Sequence, residues 1–299
     1  MARIIVPKLV AGEFRDEIRE QIKELGKPLH VKGFLATDAR PSEVYAQYTR
    51  LGCEDVGIRF SQVKVQPNEL KAAIQEANED KSVHGIMVYY PIIDAETDRE
   101  IKETVSHTKD IEGLTHFWIS KLYNNIRHVD EEKTKKAILP CTPLAILKLL
   151  ERAGCHRPES ETLFGGAKTV IFNRSEVVGR PLASMMANDG AQVISFDEFG
   201  PKHVNGQHFE DTDISREEAL RDADIVITGV PSKRFPLVRA EEVQEGCVCV
   251  NFSTLRNYQN DVREKASVFI PRVGPMTVTM VLRNTLRLYL NYHSKNDSF

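Results

Sequence analysis

Alternation between strand-like and helix-like segments is the feature that most constrains the fold of this chain. In the first half, segments with helical periodicity separate three apolar runs with strand character: LHVKGFLAT, VGIRFSQVKV and VHGIMVYYP. A second alternating block begins near Lys168 with the runs TVIF, AQVISF, DIVITGV, CVCVNF and SVFI. Strands that alternate with helices form parallel sheets covered by those helices. The sequence therefore predicts an α/β fold in two blocks.

Local signals predict where several elements begin and end. Gly52 is expected to end the helix SEVYAQYTRLG, because glycine commonly follows the last residue of a helix. In LPCTPLAILKLLERAG, Thr142 is the expected N-cap, Pro143 the first helical residue and Gly154 the residue after the end. The polar segment 199–215, FGPKHVNGQHFEDTDIS, predicts a surface loop.

Composition excludes several classes of protein. The 299 residues are enough for two domains, and a net charge of −3 without a basic block argues against nucleic-acid binding. No apolar run approaches the roughly 18 residues of a membrane span. Early acidic residues argue against a signal or transit peptide, so the cytosol is expected. The five cysteines have no C-x-x-C spacing and the nine histidines no metal-ligand spacing, so neither a disulfide framework nor a metal is expected.

The stretch KTVIFNRSEVVGRPLASMM has the order of a nucleotide-binding element, namely a buried strand, a short turn and a helix. The turn offers backbone N–H groups and the Ser175 hydroxyl, and a helix that starts near Val177 would direct its positive end at a pyrophosphate. The next strand ends in Asp197, 18 residues after Gly179. An acid there favours NAD over NADP, because it bonds a ribose hydroxyl and repels a 2′-phosphate. An ordinary strand–turn–helix crossover is the alternative interpretation.

Six ordered motifs extend over nearly the whole chain: GIMVYYP, KDIEGL, LPCTPLAILKLL, NRSEVVGRPLA, DIVITGVP and VGPMTVTMVLRNT. With them the chain resembles the methylenetetrahydrofolate dehydrogenase/cyclohydrolase family. The resemblance implies an N-terminal α/β folate-binding domain at 1–145 and a Rossmann-type NAD-binding domain at 146–274. It also implies that the C-terminal helix, 275–299, packs back on the first domain, that the active site lies in the cleft between the domains, and that the protein is a homodimer.

Two departures from the family pattern concern the cyclohydrolase step. Bifunctional members carry Ser-x-x-Tyr-x-x-x-Lys on a helix, whereas this chain has Ser42, Tyr45 and Thr49. Tyr89 likewise stands where the family has a glutamine. The family's lysine and glutamine serve hydrolysis of the methenyl group, while hydride transfer needs positioning rather than a protein base. The pattern resembles the monofunctional, NAD-dependent branch known from fungi.

The resemblance assigns the remaining site residues. Tyr45, Tyr89, Glu112 and Pro275 are expected to bind 5,10-methylenetetrahydrofolate, with the Glu112 carboxylate bonded to the pterin. Tyr45, Thr49, Tyr89, Glu112 and Cys141 make up the expected catalytic group, and a helix start beside Cys141 would lower its thiol pKa. The expected NAD contacts are Arg174, Ser175, Gly179, Asp197, Thr228, Gly229, Val230, Asn251 and Phe252. Each aromatic or acidic residue could instead be ordinary packing or a solvated loop residue.

Three functions stay open at this stage. The first is NAD-dependent oxidation of 5,10-methylenetetrahydrofolate in one-carbon metabolism, which supplies purine biosynthesis. The second is an NADP-dependent bifunctional dehydrogenase/cyclohydrolase, which is disfavoured by Thr49, Tyr89 and Asp197. The third is a non-catalytic protein that binds folate or a nucleotide, which the retained turn and Glu112 disfavour.

Overall fold

The computed structural model describes residues 1–155 and 161–294, which pack as two compact units. The first, which we call the three-stranded unit, comprises Ala11–Lys121, Ile126–Cys141 and the chain from Val278 onward. The second, the eight-stranded unit, comprises Met1–Val10, Leu122–Asn125 and Thr142–Thr277. Each unit is an α/β assembly with its own sheet, which confirms the predicted fold class.

The strands in chain order are β1 (Arg3–Ile4), β2 (His30–Leu35), β3 (Arg59–Lys64), β4 (Gly85–Val88), β5 (Lys168–Phe172), β6 (Gln192–Asp197), β7 (Gly200–Asn205), β8 (His208–Asp211), β9 (Ile225–Thr228), β10 (Val248–Asn251) and β11 (Val268–Ile270). The helices are α1 (Pro7–Leu25), α2 (Arg40–Val56), α3 (Leu70–Glu79), α4 (Ala95–Thr104), α5 (His116–Tyr123), α6 (Cys141–Arg152), α7 (Gly179–Asn188), α8 (Arg216–Arg221), α9 (Val262–Lys265) and α10 (Gly274–Leu288). Among the described residues, no helix is both long and apolar enough to cross a bilayer.

The sheet of the three-stranded unit has the order β3-β2-β4, and both pairings are parallel. The strand β4 is buried along its whole length, so its alternate side chains reach two different layers. One layer is a core cluster that includes Phe34, Ile74, Ile86 and Val88. The other carries Tyr89, the residue that follows the strand. The C-terminal helix packs within this unit from Val278 onward, as predicted.

The sheet of the eight-stranded unit has the order β1-β11-β10-β9-β5-β6-β7-β8. In this sheet order, each neighbouring pair between β1 and β6 is parallel. This is the Rossmann-type arrangement expected from the sequence. The short strand β1 was not predicted, and its pairing with β11 explains why the first ten residues belong to this unit. The carboxyl ends of β5, β6, β9 and β10 meet at one edge, where ligands of such sheets bind.

The predicted surface loop at 199–215 is wrong, because β7 and β8 form an antiparallel hairpin that extends the sheet beyond β6. The strand partners Asn205 and His208 leave a two-residue turn, and Gly206 in that turn has φ +58°. Glycine at the first position of a two-residue turn is a hairpin signal, and here it outweighs the polar composition of the segment. Val204 anchors the hairpin because its side chain is buried.

The predicted helix end at Gly52 is also wrong, since α2 continues to Val56. Gly57 terminates the helix in the left-handed conformation, with φ +82°. Gly52 is buried inside the helix, and a Cβ atom there would lie 2.7 Å from the Val278 side chain. Glycine at this position therefore permits the C-terminal helix to approach α2 closely.

Smaller differences concern helix starts. The helix α6 begins at Cys141, so Thr142 lies inside it and is not the N-cap; Gly154 has the predicted left-handed backbone, with φ +76°. The helix α7 begins at Gly179 and not near Val177, which lengthens the preceding turn. The end of the predicted C-terminal helix, 295–299, lies outside the described residues.

Candidate functional site

The inward face of α2 brings together three residues that the sequence singled out. The rings of Tyr45 and Tyr89 meet edge to face, with centroids 5.8 Å apart and an interplanar angle of 85°. Thr49 is fully buried, and its hydroxyl donates a hydrogen bond of 2.9 Å to the Tyr45 carbonyl one turn earlier. The Ser42 hydroxyl donates to the carbonyl of Tyr90 at 3.2 Å and so joins α2 to the chain after β4.

The phenols of Tyr45 and Tyr89 are both neutral at physiological pH. Burial raises the pKa of Tyr45 well above its ordinary value, and the nearby Glu112 raises it further. Burial also raises the pKa of Tyr89, against the opposing effect of the Thr49 hydroxyl. Thr49 is thus a polar neighbour of the buried Tyr89 hydroxyl, which nevertheless makes no hydrogen bond of normal geometry within the described residues. This hydroxyl can therefore serve a polar atom of a ligand without breaking an existing bond.

Glu112 lies in a loop that Asp110 organises. The buried Asp110 carboxylate accepts hydrogen bonds from the backbone N–H groups of Glu112 (3.1 Å), Gly113 (2.9 Å) and Thr115 (2.8 Å). The Glu112 carboxyl in turn accepts from the backbone N–H of Val88 at 3.3 Å. Sequence analysis missed Asp110, although it stands two residues before Glu112 in the motif KDIEGL.

The structure changes the expected charge of Glu112. Burial and the neighbouring Asp110 raise the pKa of Glu112 to about 8, against the opposing effects of the Val88 N–H and Lys102. The side chain is therefore mostly protonated at neutral pH before any ligand arrives. The carboxylate that the sequence predicted to bind the pterin must form on binding or at higher pH.

The expected activation of Cys141 is wrong. Its thiol is buried, and burial, Glu112 and Asp110 together raise its pKa well above the ordinary value. The thiol donates a hydrogen bond of 3.3 Å to the carbonyl of Ile111. The start of one helix offers too little stabilisation to compensate for the loss of solvation. Cys141 is a neutral structural link in this loop region.

Internal hydrogen bonds hold the turn between β5 and α7. The Ser175 hydroxyl donates to the side-chain oxygen of Asn173 at 2.7 Å and accepts from the N–H groups of Val178 and Gly179, both at 3.3 Å. The Asn173 amide donates to the carbonyl of Gly229 at 2.9 Å. A Cβ atom at Gly179 would lie 2.1 Å from the Asn173 carbonyl oxygen, so only glycine fits there.

Arg174, one of the expected NAD contacts, forms an ion pair, and its Nη1 has no hydrogen-bond partner among the described residues. Its guanidinium binds both carboxylate oxygens of Asp197, with Nε 2.7 Å from Oδ2, and it also donates to the carbonyl of Gly200. The Arg174 side chain is only 4% exposed. Burial favours a higher pKa for Asp197, but Arg174, the Phe199 N–H and Lys202 more than offset it and lower the pKa below its ordinary value. The two predicted residues form one buried ion pair.

The other predicted cofactor residues lie at the ends of β9 and β10. Thr228 and Asn251 are register partners, and Gly229, Val230 and Phe252 follow them. A Cβ atom at Gly229 would lie 1.9 Å from the Phe252 ring, so this glycine permits close packing.

One buried residue that sequence analysis missed holds this edge of the sheet. Asn257 bonds both the N–H (2.9 Å) and the carbonyl (3.0 Å) of Val230. Nothing in the local pattern around Asn257 marks this role.

The predicted substrate residues do not all fall in one unit. Tyr45, Tyr89 and Glu112 belong to the three-stranded unit, whereas Pro275, the second residue of α10, belongs to the eight-stranded unit. Throughout the residues that the structure describes, no group of three or more His, Cys, Asp or Glu side chains is arranged to hold a metal ion.

Comparison with known proteins gives two matches along the sequence, and the second includes residues 278–293, which the structure packs in the three-stranded unit. The tetrahydrofolate dehydrogenase/cyclohydrolase catalytic domain matches residues 5–112, and the NAD(P)-binding domain of the same family matches 140–293. The methylenetetrahydrofolate dehydrogenase [NAD(+)] of Saccharomyces cerevisiae is 40% identical over 97% of this chain and 96% of its own. The enzyme of that name from Dictyostelium discoideum is 41% identical over 94% and 92%. The solved structure of the NAD-dependent 5,10-methylenetetrahydrofolate dehydrogenase from Saccharomyces cerevisiae matches with a TM-score of 0.90 and 37% identity, covering 99% of each chain.

Proposed function

The chain belongs to the tetrahydrofolate dehydrogenase/cyclohydrolase family, and we propose that it oxidises 5,10-methylenetetrahydrofolate to 5,10-methenyltetrahydrofolate with NAD as the hydride acceptor. The observation that carries this proposal is the likeness of the whole chain to relatives that are named as NAD-dependent dehydrogenases of this substrate. The residues in the two units are consistent with it and suggest how the work is divided.

The turn of the eight-stranded unit suits NAD. Gly179 lets the backbone lie directly against Asn173, and Gly229 lets it lie against the Phe252 ring, so the two glycines set the shape of this edge. Ser175, Gly179, Thr228, Gly229, Val230, Asn251 and Phe252 would hold the dinucleotide at the edge where the parallel strands end. Bound there, NAD supplies the acceptor for the hydride.

The Arg174–Asp197 pair accounts for the choice of NAD. A 2′-phosphate would need an uncompensated cation, but the Arg174 charge is neutralised by the Asp197 carboxylate, which binds its Nε and Nη2. Asp197 is ionised, because its pKa is lowered, and would repel a phosphate at the same place. A ribose hydroxyl can donate to this carboxylate without such a penalty.

The three-stranded unit would bind and orient the folate. Loss of the hydride leaves a positive charge on the methenyl product, and no protein base is needed for that step. The neutral Tyr45 and Tyr89 side chains would flank the substrate. The Glu112 carboxyl would release its proton to solvent on binding the pterin, and its carboxylate would then stabilise the positive charge of the product.

We assign no cyclohydrolase activity to the chain. Hydrolysis of the methenyl group in the family relies on a lysine and a glutamine at the positions of Thr49 and Tyr89. Thr49 offers only a hydroxyl, which is already bonded to the Tyr45 carbonyl. Tyr89 offers a phenol with a raised pKa, which cannot donate and accept in the manner of an amide.

One assay separates the possible functions. Purified protein is mixed with 5,10-methylenetetrahydrofolate and either NAD or NADP, and the absorbance of the methenyl product is followed. The proposal expects the absorbance to appear with NAD and to persist. Appearance with NADP followed by decay above the spontaneous rate would identify a bifunctional enzyme. If no methenyl absorbance appeared with either cofactor, the chain would be a non-catalytic binding protein.

Restoring the lysine tests the assignment of Thr49. Thr49→Lys alone should not hydrolyse methenyltetrahydrofolate above the spontaneous rate, and its dehydrogenase activity should fall, since an ammonium disfavours a cationic product. The double variant Thr49→Lys, Tyr89→Gln is the comparison that adds the amide. Strong hydrolysis by the single variant would contradict a role for Tyr89.

The domain limits 1–145 with 275–299, and 146–274, stay predictions of the resemblance, as does the homodimer, and the cytosolic location stays a prediction from the sequence composition. Light scattering of the purified protein checks the homodimer, and cell fractionation checks the location. Limited proteolysis followed by mass spectrometry checks the domain limits.

A further inference from the structure

Asn284 on α10 is a fully buried polar residue to which sequence analysis gave no role. Its side-chain Nδ2 donates hydrogen bonds to the carbonyl of Leu139 at 2.9 Å and to the carbonyl of Ile111 at 3.0 Å. The Cys141 sulfur lies 3.4 Å from the same nitrogen. The two N–H groups of the amide are thus directed at two loops that are distant in sequence.

Both loops belong to the candidate folate site. Ile111 directly precedes Glu112, and Leu139 stands two residues before Cys141. The loops touch at Gly113, whose backbone has φ +70° and where a Cβ atom would lie 2.9 Å from the carbonyl carbon of Leu139. The contact surface is therefore tight, and Asn284 holds it together from the side of the C-terminal helix.

The chemistry of the site explains why the residue is an amide. The carbonyls of Ile111 and Leu139 are acceptors, so an apolar side chain at 284 would leave them without these donors. The amide oxygen of Asn284 is buried and has no partner within the described residues. A leucine would avoid that unpaired oxygen, and what it would lose is the two bonds to the loops.

We propose that Asn284 is a positioning residue that sets the place of Glu112 for folate binding by joining the 111–113 and 139–141 loops. This inference rests on the proposed function, because the ligand it serves is the folate. Asn284 touches neither the reacting atoms nor the predicted NAD contacts. Its loss should therefore affect the folate side of the reaction and leave the NAD side unchanged.

The test compares Asn284→Leu with Thr285→Val. Thr285 is the next residue of the same helix, is equally buried, and donates only to the Val281 carbonyl within that helix at 2.9 Å. We expect Asn284→Leu to lower kcat/KM for 5,10-methylenetetrahydrofolate about tenfold or more, which corresponds to about 1.4 kcal/mol. The KM for NAD should stay within about twofold of wild type, and Thr285→Val should match wild type in both measurements.

The pH profile gives a readout that a general loss of stability would not move. If the loop loosens, Glu112 gains solvent and the rise of kcat/KM with pH moves to lower pH in Asn284→Leu only. If Asn284→Leu does not fold, Asn284→Ser takes its place under the same criteria. Equal effects of the 284 and 285 variants, or equal losses on the folate and NAD sides, would overturn the proposal.

Hydrogen exchange distinguishes failure of this inference from failure of the proposed function. The amide N–H groups of Glu112, Gly113 and Thr115 are bonded to Asp110 and should be protected in wild type and in Thr285→Val. They should exchange faster in Asn284→Leu, whether or not the wild-type protein turns over folate. Unchanged protection in that variant would show that Asn284 does not hold the loop.

Discussion

The two units treat a largely buried acid in opposite ways. In the three-stranded unit, burial and the nearby Asp110 raise the pKa of Glu112 to about 8. In the eight-stranded unit, Asp197 is also withdrawn from solvent, but the bidentate Arg174 keeps its pKa below the ordinary value. Glu112 is the more deeply buried of the two and lies beside a second acid, whereas Asp197 lies beside a fixed cation, so burial and neighbouring charge together set the two directions.

This difference suits the two tasks that we propose. Around Glu112 the side chains of Tyr45, Thr49, Tyr89 and Cys141 are neutral and form a site that can adjust its charge to a product that becomes cationic. Around Asp197 the charges are fixed in advance, which suits a cofactor that must be selected by the group on its ribose. Each prediction below tests one side of this comparison.

The largest expected effect concerns the backbone-built turn of the eight-stranded unit. A Cβ atom in Gly179→Ala would lie 2.1 Å from the Asn173 carbonyl oxygen, so the turn must shift. We expect about a 100-fold loss in kcat/KM for NAD, near the upper range of overpacking, with KM for folate nearly unchanged. Gly12→Ala is the control, because nothing lies within 4 Å of a Cβ atom there. Steady-state kinetics and a binary NAD titration measure this effect. Wild-type kcat/KM and affinity for NAD in Gly179→Ala would contradict the prediction.

Asp197→Ser tests whether the ion pair selects the cofactor. Removal of the carboxylate frees Arg174 for a 2′-phosphate and withdraws a bond from the NAD ribose. The ratio of kcat/KM for NAD over NADP should fall roughly 30-fold, as for a hydrogen bond to a charged group. Asp222→Ser removes an acid from the exposed pair with Lys168 at the start of β5, away from this edge of the sheet, and should leave the ratio unchanged. An unchanged ratio in Asp197→Ser would place selection elsewhere in the turn.

Glu112→Gln tests the neutral acid of the three-stranded unit. A raised pKa in the folded protein means that Glu112 stabilises the fold at low pH and that this contribution is lost as pH rises through about 8. Between about pH 5 and pH 9, wild type should lose unfolding free energy relative to Glu112→Gln, with a slope of up to about 1.4 kcal/mol for each pH unit below about 8. Denaturant unfolding at several pH values measures this difference.

The same variant should change folate kinetics. If the carboxylate form binds the pterin, kcat/KM for folate in wild type rises with pH through about 8, and the profile of Glu112→Gln is flat. The binary affinity for NAD should not change. If Glu112→Gln had the same pH profile of kcat/KM for folate as wild type, Glu112 would not be part of the folate site.

The smallest expected effect compares one phenol from each unit. The Tyr89 hydroxyl has no partner among the described residues, whereas the Tyr258 hydroxyl donates to the Val226 carbonyl at 2.7 Å. Tyr89→Phe should therefore be neutral or stabilising by up to about 1 kcal/mol, and Tyr258→Phe destabilising by about 1 kcal/mol. Thermal unfolding measures the stability of both variants. An equal loss of stability in both would mean that the Tyr89 hydroxyl has a hydrogen-bond partner in solution.

Much of the fold followed from local pattern. The strands β2 to β6 and β9 to β11 lie where apolar runs predicted them, because a run of apolar residues with a turn on each side fits a buried parallel strand. The hairpin of β7 and β8 could also have been predicted, since Gly206 is the first residue of its two-residue turn. Six motifs in order then identified the family, and with it the candidate residues on both units.

Only the tertiary structure decided the state and partners of those residues. Arg174 and Asp197 are 23 residues apart in sequence, and Asn284 is 173 residues from the carbonyl it holds at Ile111. Gly52 has the sequence signature of a helix end, yet its role depends on the approach of Val278. The protonation of Glu112 and Cys141 depends on how much water the assembled fold removes and which charges it places nearby. Local sequence reports which groups are present, whereas burial and distant partners set their free energies of ionisation.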